Sequence, residues 1–219
     1  MLERRPVDGS ILRDTVRIWT MPVDGTAPTL VSMTLGALWY FRDGRQVTVP
    51  FASGSRPSFW DDRVYVIDGV GEASYSVYGP AGLERRVEID RSRRQIDDRS
   101  VTKFLEDRRG GRYPESLLRI YEEHVSDMPI PEARRYWDGL VFSDQGDAWL
   151  LRSADPEAAD VAAADQVWDV FDAEGVFIGH MRLPGHVGLV QMIGQTALTI
   201  VRDEIGRVTV AVYDLRWIG

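Results

Sequence analysis

Trp168-Asp169-Val170-Phe171-Asp172-Ala173-Glu174-Gly175 is the stretch on which the fold turns. Four residues with strand character end in an aromatic, a polar turn follows, and a glycine closes it. Glycine suits that place because it reaches positive φ without a Cβ clash, which is what a tight hairpin demands. Val176-Phe177-Ile178-Gly179-His180-Met181-Arg182-Leu183 is then the returning strand. Upstream, Asp147-Ala148-Trp149-Leu150-Leu151-Arg152 supplies the strand before it. The same unit recurs. Arg63-Val64-Tyr65-Val66-Ile67-Asp68 precedes Ser76-Val77-Tyr78-Gly79-Pro80-Ala81-Gly82, and Thr196-Ala197-Leu198-Thr199-Ile200-Val201 precedes Val210-Ala211-Val212-Tyr213-Asp214. A unit returning at about forty to fifty residues marks a repeat architecture.

Further hairpins fit between these units. Thr15-Val16-Arg17-Ile18-Trp19-Thr20-Met21 alternates as a half-buried strand does, Pro22-Val23-Asp24-Gly25 turns, and Thr29 to Met33 returns. Leu38 to Phe41, Arg42-Asp43-Gly44-Arg45 and Gln46 to Val49 read as another hairpin. Leu140 to Phe142, with a turn over Ser143 to Asp147, and Leu198 to Val201, with a turn over Arg202 to Gly206, read as two more. Two stretches break the rhythm. Residues 97–127 read as two helices, one capped by Ser100 and stopped by Gly110-Gly111, the other opened by Pro114-Glu115. Leu117, Leu118, Tyr121 and Val125 fall on one face of the second helix. Ala154 to Asp165 reads as a mobile loop. Four short antiparallel strands per repeat is the pattern of a propeller blade. The fold class is all-β: a partial β-propeller of about four blades in one domain over 1–219. The blades fall roughly at 11–52, 56–96, 134–185 and 186–217, with a two-helix insert at 97–127.

Composition excludes several functions. The chain of 219 residues is 44% hydrophobic and 27% charged, which is ordinary for a globular protein. No apolar window is long enough for a membrane span, and no signal peptide is visible at Met1 to Asp8. There is no cysteine, so disulfides, thiolate metal sites and a cysteine nucleophile are excluded. Residues 138–219 carry 13 acidic against 5 basic groups and supply the whole net charge of −8. An acidic half argues against nucleic acid, which wants a basic face.

Chemistry-bearing motifs are sparse. His124, His180 and His186 match no common zinc spacing, and no HExxH or GxSxG occurs. Gly69-Val70-Gly71 falls short of a dinucleotide fingerprint. The pairs Asp61-Asp62, Asp97-Asp98 and Asp203-Glu204 sit beside turns, where aspartate bonds its own backbone. Arg85, Arg86, Arg91, Arg93, Arg94 and Arg99 alternate with Glu84, Glu88, Asp90, Asp97 and Asp98, as in a solvated, salt-bridged connector. No catalytic, cofactor or metal residue is assigned. Trp39-Tyr40-Phe41 and Phe59-Trp60 are runs of adjacent aromatics. Strand neighbours point to opposite faces, so one of each run is left less buried. These five residues are the candidate binding surface.

With the repeats laid out, the chain resembles bacterial six-bladed β-propeller proteins of the NHL/TolB-like kind, uncharacterised members with a helical insert. Pro129-Ile130-Pro131, Leu140 to Trp149, Trp168 to Gly175, Met181 to Pro184, Ile193-Gly194, Val201 to Gly206 and Val212 to Leu215 carry the likeness. It covers residues 56–217 well and 11–55 loosely. The resemblance implies that four blades are the C-terminal part of a longer, extracytoplasmic protein: periplasmic, secreted or lipid-anchored. The functional expectation is a non-enzymatic scaffold binding a small molecule, glycan or protein through blade-end loops. The alternatives are a metal-dependent, lactonase-like hydrolase using calcium, and a fragment without independent function. Open blade edges imply self-association.

Overall fold

The computed structural model describes residues 7–21, 24–52, 54–67, 73–91, 94–111, 113–154, 165–203 and 205–215. The protein is all-β: the described residues form four antiparallel sheets and two short helices. Among the described residues, no helix is long and apolar enough to cross a membrane. The chain divides into two compact units: residues 1–57 with 62–136, and residues 58–61 with 137–219. Residues 155–164, read above as part of a loop, and Gly69-Val70-Gly71, Arg93, Glu204 and Trp217 lie outside the described residues.

In the first unit, β1 (Ile11–Thr20), β2 (Thr29–Arg42) and β3 (Arg45–Thr48) make a sheet in that order. The two early hairpins of the sequence share one strand: β2 runs 14 residues, pairing with β1 along its length and with β3 at its end. Asp43 and Gly44 link β2 to β3 with φ of 52° and 68°. Two successive positive φ values match the right-handed twist of the flanking strands, the reason Asp-Gly is a strong hairpin signal. After β4 (Arg56–Trp60), a second sheet of this unit runs β5 (Arg63–Ile67), β6 (Ser74–Gly79) and β7 (Gly82–Glu88) in that order. Ile18 of β1 is buried with Val64 and Val66 of β5, joining the cores of the two sheets.

The helices are α1 (Asp98–Gly110) and α2 (Glu115–His124), followed by a 3₁₀ turn at Val125–Asp127. Asp97, not Ser100, caps α1. Its backbone is extended and its carboxylate accepts the Ser100 amide at 2.8 Å. Ser100 sits in the first turn and is itself buried. Asp97 takes the cap because it stands just before the first helical residue, where its carboxylate also faces the positive end of the helix dipole. That hydrogen bond holds the Asp97 carboxyl below its usual range. α2 turns Ile120 and Tyr121 onto Tyr40, Val47 and Val49, with Phe104, Leu105 and Leu117 around them. The Tyr121 hydroxyl donates to the Thr48 carbonyl at 2.8 Å, and burial pushes it up to about 12.

In the second unit, β8 (Trp137–Phe142), β9 (Ala148–Arg152), β10 (Gln166–Phe171) and β11 (Phe177–Leu183) form one sheet. β12 (Val187–Ile193), β13 (Thr196–Arg202) and β14 (Val208–Asp214) form another. Trp149, Trp168, Val170 and Leu183 pack against Val187, Leu189, Met192 and Ala197, which joins the two. One turn is used three times, at Ser143–Asp147, Asp172–Val176 and Asp203–Arg207. In each, the side-chain oxygen of the first residue accepts the amides of the third and fifth residues. The fourth residue is Gly146, Gly175 or Gly206, with φ of 91°, 82° and 82°. This turn is the physical source of the recurring polar residue and glycine in the sequence.

Candidate functional site

A cavity of about 430 Å³ opens in the first unit. Its volume lies within the range of small-molecule sites, roughly 300–1,000 Å³. The wall begins with glycine. Gly36 on β2 and Gly54 in the following loop pass so close that a Cβ on Gly54 would lie 2.5 Å from the Gly36 carbonyl carbon. A Cβ on Gly36 would lie 2.6 Å from the Asp14 Cβ. Only glycine at both positions permits this approach. The Ser55 amide seals it by donating to the Leu35 carbonyl at 2.7 Å.

Val49-Pro50-Phe51-Ala52 forms the next part of the wall. Phe51 has φ of 61°, a left-handed conformation that bulky residues avoid. Such strain persists only where the surroundings over-determine it. Here the Phe51 ring meets Phe104 of α1 edge-on at 5.7 Å, and the Arg134 guanidinium lies 4.4 Å from its centroid. Phe104 and Arg108, one helical turn apart, present α1 to the cavity. Arg108 also sits 5.1 Å from the Phe104 ring and 4.5 Å from that of Tyr113, which fixes its direction.

Three arginines, Arg56, Arg108 and Arg135, line this space, and among its described lining residues there is no Asp or Glu. Arg135 is only 5% exposed and donates to the Gly54 carbonyl at 3.3 Å, tying the charge to the glycine wall. A second hollow of about 510 Å³ near α2 is different. There Asp43, Glu115 and Glu123 stand among Arg45 and Arg119, and Arg119 pairs with Glu123 at 3.3 Å. Exposed charges of both signs that pair with one another are the ordinary solvated surface of a helix.

The five aromatic candidates fall in different places. In the first unit, Tyr40 is 2% exposed and belongs to the core beneath the helices. Trp39 and Phe41, its neighbours on the opposite face, are half-buried, and the Trp39 indole donates to the Asp14 carboxylate. In the second unit, Phe59 is 68% exposed. Trp60 lies 6.0 Å from the Phe142 ring and covers Gly146, where a Cβ would lie 2.6 Å from the indole. The structure thus brings together a pocket that periodicity did not mark. No motif or spacing in the sequence points to it: the arginines of its wall, Arg56, Arg108 and Arg135, lie outside the arginine run at 85–99.

The remaining candidates are mostly structural. Asp61 has φ of 54° in the turn before β5, Asp62 pairs with Arg63 at 3.3 Å, and Asp203 closes its own turn. Arg86 bonds Glu88 and Ser74, as a salt-bridged strand face does. His124 ends α2 beside Asp127 at 3.5 Å, and His186 is exposed.

His180 is placed otherwise. It is the cross-strand partner of Asp169, and its Nδ1 lies 2.7 Å from the Asp169 Oδ1. Asp169 is wholly buried and also receives Arg152 Nη2 at 2.7 Å and the Trp137 indole at 2.8 Å. A buried carboxylate is stable only when its lone pairs are filled, and here residues from three neighbouring strands fill them. Among the described residues, no three His, Asp or Glu side chains gather as a metal site requires. The chain matches no protein-family model and no curated protein.

Proposed function

We propose that the protein is a non-enzymatic scaffold that binds a small molecule in the cavity lined by Val49 to Ala52, Gly54 to Arg56 and α1. The observation that carries this reading is the cavity itself. Its glycine wall, its strained Phe51 and its stacked Phe104 and Arg108 form a concave, mostly apolar space with a few convergent polar groups. In the same reading the four sheets are blades of a partial propeller of the NHL/TolB-like kind, and the two helices are an insert covering loop ends. Four sequentially ordered antiparallel sheets support it. Self-association through open edges belongs to it too. β14 is outermost in its sheet, with Val208, Val210 and Val212 exposed.

The test is amide and methyl NMR with a chemically mixed fragment set. Binding at the cavity shifts the Ala37, Val49 and Ala52 signals. Fragments that move only Phe59 or other surface positions, leaving those signals still, would contradict the reading. Hydrolysis of an ester or lactone panel that depends on added calcium would contradict its non-enzymatic part.

A further inference from the structure

Resting on the reading that the chain self-associates through open sheet edges, we infer that β14 pairs antiparallel with the β14 of a second copy, about a two-fold axis at Ala211. Two hydrogen bonds fix which way the backbone of this strand points. The Leu215 amide donates to the Gln195 carbonyl at 2.8 Å, and the Asp203 amide donates to the Arg207 carbonyl at 3.0 Å. Both pairs continue the register of β13 with β14, which runs without a bulge. In an antiparallel ladder, residues that bond to one neighbour alternate with residues that face away from it. Thr209, Ala211 and Tyr213 therefore bond towards β13, as Arg207 and Leu215 do. Val208, Val210, Val212 and Asp214 turn their amides and carbonyls to the outer edge. Among the described residues, no strand meets that edge. The sheet ends at three strands, where the β8–β11 sheet has four.

The strand is its own complement. With the axis at Ala211, its 7 residues overlap in full. Val210 then faces Val212 of the second copy, and Val208 faces its Asp214. All the outward residues meet outward residues, so their amides and carbonyls gain about eight hydrogen bonds. A whole interface of standard size carries about ten. An axis at Val210 would instead set Asp214 against Gly206, whose φ of 82° turns it out of the ladder. Charge agrees with the same register. Residues 138–219 hold 13 acidic against 5 basic groups, yet Val208 to Tyr213 carries no charge. The two Asp214 side chains fall at opposite ends of the pair, roughly 20 Å apart and beyond the screening length at physiological salt. Edge strands that stay single are blunted by lysine, proline or a bulge, and β14 has none of these. A two-fold pairing closes the edge at two copies.

The experiment uses single cysteines, each unique in a chain that has none. The thiol of Ala211→Cys faces its own symmetry mate at a non-hydrogen-bonded site, where Cα atoms lie about 4.5 Å apart and a disulfide can form. Mild oxidation of the full chain should link it as a dimer on non-reducing gels. In Thr209→Cys, on the same face of the strand, the thiol stands roughly 13 Å from its mate and should stay unlinked. Thr209→Cys combined with Tyr213→Cys should link again. Val210→Pro removes only an outward amide, so it should leave circular dichroism unchanged and halve the mass seen by light scattering. A dimer by light scattering in which Thr209→Cys links as well as Ala211→Cys, or in which neither links, would overturn the β14 pairing and leave self-association through another edge standing. If the wild-type chain is monomeric at every concentration tested and Ala211→Cys stays unlinked, both fail.

Discussion

Trp137 and Asp169, 32 positions apart, are joined by a 2.8 Å hydrogen bond in which the indole donates to a carboxylate without solvent exposure. Arg152 and His180 reach the same carboxylate, so β8, β9, β10 and β11 are all tied to one buried charge. Removing that charge strands the Arg152 guanidinium. Asp169→Ala should cost about 3–5 kcal/mol in urea denaturation. Trp137→Phe should cost about 1.5–3 kcal/mol, the worth of one hydrogen bond to a charged group. An Asp169→Leu, Arg152→Met double variant should cost less than the sum of its singles, because it leaves no stranded charge. Strict additivity would show that the cluster does not act as a unit.

Gly54→Ala and Gly36→Ala should each destabilise by about 1–3 kcal/mol, because the added methyl meets backbone that has no room to give. Gly110→Ala is the control. It meets open space at the end of α1 and should be neutral or stabilise by about 0.4–1 kcal/mol. Thermal melts of the three variants decide the matter.

The Asp97 carboxyl is held below its usual range by the Ser100 amide. A depressed carboxylate contributes stability that is present above its unfolded value and is lost as pH falls through its folded value. Asp97→Ala should therefore lower the melting temperature at neutral pH and lower it by less in strong acid, where the carboxyl is neutral. Asp97→Asn, which still caps, should lose less than Asp97→Ala. A pH-independent gap between wild type and Asp97→Ala would refute the cap's ionic part.

Tyr121 gives the opposite sign. Burial favours its neutral form and moves it up to about 12, from an ordinary value of 10.0. Its contribution is complete below the ordinary value and is lost as pH rises through the folded one. Tyr121→Phe should cost about 1 kcal/mol at neutral pH, through the lost bond to Thr48. It should also flatten the fall in stability between those two values. Chemical denaturation at a series of alkaline pH values, with wild type and variant side by side, checks this.

Local chemistry was written into the sequence by itself. Asp43-Gly44 makes its turn wherever two strands flank it, because only a pair tolerant of positive φ closes so tight a link. The turns at Ser143, Asp172 and Asp203 each satisfy their own backbone within five residues, so their polar residue and glycine recur legibly. α1 and α2 announce themselves through Gly110-Gly111 and Pro114. Long-range placement was decided only by tertiary structure. Nothing local distinguishes buried Tyr40 from half-buried Trp39 until the helices cover one face of β2. Asp169 looks like any strand aspartate until Arg152, His180 and Trp137 arrive from other strands. The cavity needs Gly36, Phe51, Phe104 and Arg135 at one place, and residues so far apart meet only when the chain has paid the entropy of closing the loops between them.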